Sequence, residues 1–134
     1  MRIKTEKELI EFGKEMAKKI KAPAVLELIG DVGTGKTTFT SGLAEGLGVT
    51  ESVTSPSFTI SKSYALPSGG ELVHYDFYRL ADPGIMVEDL DEKIGADKNI
   101  VVIEWGDSVA DLLPEGHTVI KFEYADDGRE VNVI

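Results

Sequence analysis

Ala24-Val25-Leu26-Glu27-Leu28-Ile29 runs straight into Gly30-Asp31-Val32-Gly33-Thr34-Gly35-Lys36-Thr37, and that junction decides the fold. The first six residues are a β-rich, mostly apolar run. The next eight complete a G-x-x-x-x-G-K-[ST] loop. Thr37 to Leu47 then sets Phe39, Leu43 and Leu47 on one helical face. Strand, glycine loop and helix in that order make a phosphate-binding unit. The glycines let backbone N–H groups approach phosphate oxygens with no Cβ in the way. Lys36 is a compact cation that can reach the outer phosphates of a nucleoside triphosphate. The Thr37 hydroxyl can ligate the accompanying Mg²⁺, and the helix turns its positive end toward the same oxygens.

Upstream, Thr5-Glu6-Lys7-Glu8 fits a capping box, followed by Leu9, Phe12, Met16 and Ile20 at helical spacing. That helix is predicted to end near Lys21, before Pro23. Downstream, the phosphate-loop helix stops around Gly46 to Gly48. Val49 to Ser57 is a loop rich in Ser and Thr. Ser57 to Tyr64 and Glu71 to Phe77 read as strands joined by the turn Pro67-Ser68-Gly69-Gly70. Asp82-Pro83 opens a short acidic helix running to about Lys93. Within Asn99 to Trp105, the continuous apolar run Ile100-Val101-Val102-Ile103 suits a central parallel strand covered on both faces. Asp107 to Leu113 fits a short helix. His117 to Tyr124 and Arg129 to Ile134 flank Asp126-Asp127-Gly128 as a second hairpin. The pattern predicts an α/β fold forming one domain over residues 1–134.

Composition narrows the function. The 134 residues are 42% hydrophobic, enough for one core, and no run approaches the length of a membrane span. The charged, amphipathic start is no secretory signal, and there is no cysteine for a disulfide framework or thiolate metal site. These features point to a cytoplasmic protein without a membrane partner. The net charge is −10, with 24 acidic residues and no basic stripe. A direct grip on nucleic acid needs clustered Lys and Arg, so any RNA is expected to be held by a partner.

A triphosphate site also needs carboxylates at strand ends, to hold Mg²⁺ and orient water. Asp76 ends Leu72-Val73-His74-Tyr75, and Glu104 ends Ile100-Val101-Val102-Ile103. Acids at the carboxyl ends of buried strands sit where open α/β sheets bind ligands. Ser55 and Ser57 lie where switch loops touch the terminal phosphate. His74 reads as a strand residue, packed or hydrogen-bonded locally, and Trp105 as the rim of the site or part of the core. Arginine is limited to Arg2, Arg79 and Arg129, too few for the cationic lid of a small-molecule kinase. Arg79 could reach phosphate or pair with Asp76 or Asp82. Intrinsic hydrolysis should therefore be slow and partner-stimulated. The phosphate loop alone leaves a small-molecule kinase and a non-hydrolysing nucleotide switch open.

The ordered set Gly30 to Phe39, Ser55-Pro56-Ser57-Phe58, His74-Tyr75-Asp76-Phe77-Tyr78-Arg79-Leu80 and Ile103-Glu104-Trp105 resembles the TsaE (YjeE) family, over almost the whole chain. The resemblance implies a small P-loop NTPase-like, three-layer domain with a mixed central sheet. It implies a Mg²⁺-dependent ATPase of tRNA threonylcarbamoyladenosine (t6A37) synthesis, acting with TsaB and TsaD and meeting tRNA only through that complex. It assigns Gly33, Thr34, Gly35, Lys36, Thr37 and Thr38 to phosphate binding, and Thr37 with Glu104 to Mg²⁺. It matches Asp76 to an acid needed for activity. It places Thr5 near the adenine, Trp105 beside the site and Arg129 against the nucleotide. The chain departs from the family's usual Ser-Pro-Thr at Ser55-Pro56-Ser57, keeping the hydroxyl and losing a methyl.

Overall fold

The computed structural model describes residues 1–56, 60–78 and 84–134. In chain order the elements are β1 (Arg2–Ile3), α1 (Glu6–Lys19), β2 (Ala24–Ile29), α2 (Lys36–Gly46), β3 (Ser61–Ala65), β4 (Glu71–Asp76), α3 (Gly84–Gly95), β5 (Ile100–Glu104), a 3₁₀ segment (Gly106–Leu112), β6 (Thr118–Ala125) and β7 (Gly128–Val133). The strands form one mixed sheet in the order β1-β7-β6-β2-β5-β4-β3. Its middle, β6-β2-β5-β4, is parallel, and the two hairpins supply the antiparallel margins.

Two apolar layers cover this sheet. Leu26, Leu28, Leu72, Ile100, Val102, Ile120 and Phe122 face α1 and α2, where Leu9, Met16, Phe39 and Leu43 close the core. Val25, Val73, Tyr75, Val101 and Ile103 face the other way, against Leu90 of α3 and Val109 of the 3₁₀ segment. Every residue of β5 is buried, as a continuous apolar run between two helical layers requires. The three-layer α/β architecture with a mixed sheet is therefore present.

Close approach of α1 to α2 depends on glycine. A Cβ on Gly13 would stand 2.5 Å from the Phe39 carbonyl oxygen and 2.6 Å from the Leu43 nitrogen. At the start of α1, Thr5 Oγ1 accepts from Glu8 N–H at 3.1 Å. The Glu8 carboxylate reaches back to Lys4 N–H at 3.4 Å, one residue earlier than the capping-box pattern has it.

Several details differ from the sequence reading. α1 stops at Lys19, with Ile20 as its extended C-cap. The strand expected over Ser57 to Tyr64 is β3, Ser61–Ala65, and residues 57–59 lie outside the described residues, as do Asp82 and Pro83 before α3. β1 was not expected at all. Its two residues carry no periodicity, and they become a strand only by pairing with β7, Arg2 opposite Glu130 and Ile3 opposite Arg129.

Candidate active site

The carboxyl ends of β2, β4 and β5 emerge side by side, and each delivers one component of the site. β2 passes into the glycine loop. Gly33 has φ +82° and Gly35 φ +105°, values that side chains rarely adopt, and a Cβ on Gly35 would strike Leu9 of α1. Thr34 ties the loop internally, its Oγ1 donating to the Asp31 carbonyl at 2.7 Å. Gly35 is the N-cap of α2 and no side chain among the described residues caps that helix, which leaves its first-turn amides available to an anion. The second hairpin holds the loop from outside. Tyr124 Oη donates to the Val32 carbonyl at 2.6 Å, and Arg129 Nη2 to the Gly33 carbonyl at 3.2 Å.

Lys36 is buried at the base of the loop. Its Nζ donates to the Gly30 carbonyl, lies 3.9 Å from Glu104 Oε1 and sits 4.3 Å from the centroid of the Trp105 ring. Burial pushes its pKa below the usual lysine range, against the opposing pull of Glu104, Asp76 and Asp31. The ammonium is thus held in place before any ligand arrives.

β4 and β5 supply the acids. Their parallel register sets Asp76 directly beside Glu104, and both side chains are buried. Asp76 Oδ1 accepts from Tyr78 N–H at 2.9 Å, which turns the chain sharply after β4. Glu104 Oε2 and His74 Nε2 are in hydrogen-bond contact at 2.5 Å. Trp105 follows in the left-handed region at φ +57°, a conformation costing on the order of 1 kcal/mol or more for a bulky residue. That turn brings its ring over Lys36 and 4.8 Å from the Tyr78 ring.

These groups share one cavity of about 810 Å³, lined by Thr5, Gly33, Gly35, Lys36, Thr37, Thr38, Ser55, Asp76, Glu104, Trp105 and Arg129 among others. Of the residues singled out in sequence, Thr34 stands apart. It lines a second hollow of about 450 Å³, with its hydroxyl on the Asp31 carbonyl. Ser57 and Arg79 lie outside the described residues. Tyr78 lines the cavity and His74 touches Glu104, and neither was picked as a site residue. The alternation His74-x-Asp76 carried the signal for His74, because residues two apart on a strand share a face.

The donors suit a hard cation: one hydroxyl, Thr37, and two carboxylates, Asp76 and Glu104. Among the described residues no group of three or more His, Asp or Glu side chains converges as a metal cage. A cation here would need further oxygens, as Mg²⁺ takes from the phosphates it accompanies.

A family model for threonylcarbamoyl adenosine biosynthesis protein TsaE matches residues 3–131. The chain belongs to the TsaE family. The TsaE protein of Streptomyces coelicolor is 39% identical over 129 residues, covering 92% of this chain and 87% of its own length. The TsaE protein of Haemophilus influenzae is 33% identical, covering 98% of this chain and 86% of its own length. Both are named as tRNA threonylcarbamoyladenosine biosynthesis proteins. The crystal structure of Bacillus subtilis YdiB superimposes with a TM-score of 0.79 at 37% identity, covering 98% of this chain and 80% of that one. No helix among the described residues is long and apolar enough to cross a membrane.

Proposed function

We propose that this chain binds ATP with Mg²⁺ and hydrolyses it as the ATPase subunit of tRNA threonylcarbamoyladenosine synthesis, acting with TsaB and TsaD in the cytoplasm. One observation carries the reading. Lys36, Thr37, Asp76 and Glu104 arrive from three adjacent strand ends and line a single cavity behind an uncapped helix start. Chain-wide similarity to TsaE proteins gives the reaction its biological setting.

In this reading the amides of Gly33 to Thr38 cradle the β- and γ-phosphates, and Lys36 neutralises charge as the terminal bond lengthens. Thr37 and Glu104 hold Mg²⁺, which when bound offsets the negative charge of the phosphate oxygens. Asp76 and Glu104 are the two acids able to orient the attacking water. Thr5 and Arg129 line the same cavity, and the nucleoside would lie against them. The chain offers no clustered arginines, so turnover alone is slow and the partners accelerate it.

The test is ATP turnover by Lys36→Ala, Asp76→Ala and Glu104→Ala, each with and without TsaB and TsaD. Each variant should lose on the order of a hundredfold or more in turnover. Wild-type rates in all three would overturn the assignment. A phosphorylated small-molecule acceptor would point to a kinase, and bound ATP left intact through the modification cycle to a non-hydrolysing switch.

A further inference from the structure

His74 lies in the middle of β4 with no exposed surface, between Leu72 and Asp76 on the face of the sheet that carries Val102 and Glu104. Its Nε2 is 2.5 Å from Glu104 Oε2. Against an ionised carboxylate, which only accepts, Nε2 is the ring nitrogen that donates. Nδ1 is buried with no hydrogen-bond partner among the described residues. A buried polar atom left unpaired costs free energy, and an apolar residue would suit this core position better. Stability therefore does not explain a histidine here, whereas its contact does. With Oε2 occupied by His74, Glu104 turns Oε1 toward Lys36, at 3.9 Å.

We infer that His74 is a positioning residue that locks the Glu104 carboxylate in one rotamer, leaving Oε1 as the oxygen offered to the nucleotide-bound cation. The inference rests on the Mg²⁺–nucleotide reading above and deepens it. Metal-ligating carboxylates are commonly oriented by a hydrogen bond from behind, and losing that bond costs on the order of tenfold or more in metal affinity. Here the orienting group comes from the neighbouring strand, fixed by the same register that sets Asp76 beside Glu104.

The experiment measures fluorescent ADP binding with Mg²⁺ and with EDTA, and Mn²⁺ binding to the nucleotide complex by electron paramagnetic resonance. His74→Leu removes the donor and keeps the bulk. It should bind nucleotide normally in EDTA, because the loop amides and Lys36 are untouched. Its gain in affinity from Mg²⁺ and its Mn²⁺ affinity should each fall about tenfold. His74→Gln can place an amide N–H near the Nε2 position and should recover most of both. Full metal coupling in His74→Leu, alongside its loss in Glu104→Gln, overturns the positioning role. Should His74→Leu not fold, a folded His74→Gln that has lost metal coupling overturns it as well. Coupling that survives in Glu104→Gln instead removes the metal assignment, and the role of His74 with it.

Discussion

Lys36 shows at the scale of one residue how the site is prepared for its ligand. A lysine in a buried niche gives up hydration, and its pKa falls. Polyphosphate oxygens favour the ammonium and raise the pKa again on binding. In the window between the lowered value and the restored one, ATP binding must therefore take up protons, and affinity must fall as pH rises. Calorimetry at a series of pH values below the ordinary lysine range, in two buffers of different ionisation enthalpy, should reveal that uptake. Lys36→Arg, which stays charged throughout, should show none. Trp105 is a second prepared residue. Its left-handed backbone accompanies ring contacts with Tyr78 and Lys36. Trp105→Gly should ease the backbone yet release the ring from Lys36. Nucleotide affinity should drop severalfold, and thermal stability should change by less than the loss of a large side chain would ordinarily cause.

Pairs of elements obey rules that neither member shows alone. Gly13 sits inside α1, where helix propensity says alanine should stabilise by roughly 1 kcal/mol. The α2 backbone lies where that methyl group would go, at 2.5 and 2.6 Å. Backbone cannot rotate aside like a side chain, so packing wins. Gly13→Ala should destabilise by about 2 kcal/mol in denaturant unfolding, and a stabilised variant would mean that the helices stand farther apart. The glycine loop is braced in the same cooperative way by the β6–β7 hairpin, through Tyr124 to Val32 and Arg129 to Gly33. Tyr124→Phe removes one brace with little change in bulk. It should weaken nucleotide binding by roughly fivefold, corresponding to one hydrogen bond of about 1 kcal/mol, and leave the cooperative unfolding transition intact.

For the whole molecule, net charge and ligand linkage act on the same equilibrium. A chain of net charge −10 repels itself when compact, so moderate salt should raise its melting temperature by screening. On the proposed function, ATP with Mg²⁺ would bind only the folded chain. At about 100 times its dissociation constant it should add about 2.7 kcal/mol, and the same addition should leave Lys36→Ala almost unmoved. Much of this architecture was legible from residue patterns. Strand, loop and helix around Gly30 to Thr37, the buried strand before Glu104 and both hairpins follow from periodicity and turn chemistry, because those signals are local. β1 was hidden because two residues have no pattern of their own and pair with a partner more than a hundred positions away.

The sequence by itself determined which chemical groups this protein has to work with: a glycine loop of the phosphate-binding pattern, one lysine and one threonine at its end, and two acids closing apolar strands. Tertiary structure alone decided which of them meet. The parallel register of β4 and β5 puts Asp76 beside Glu104 and His74 behind it, and the packing of α1 sets Leu9 against Gly35. The reason is physical. Periodicity reports which face of an element a residue occupies, but the shift of one strand against another is fixed by hydrogen bonds and burial spread over the whole sheet.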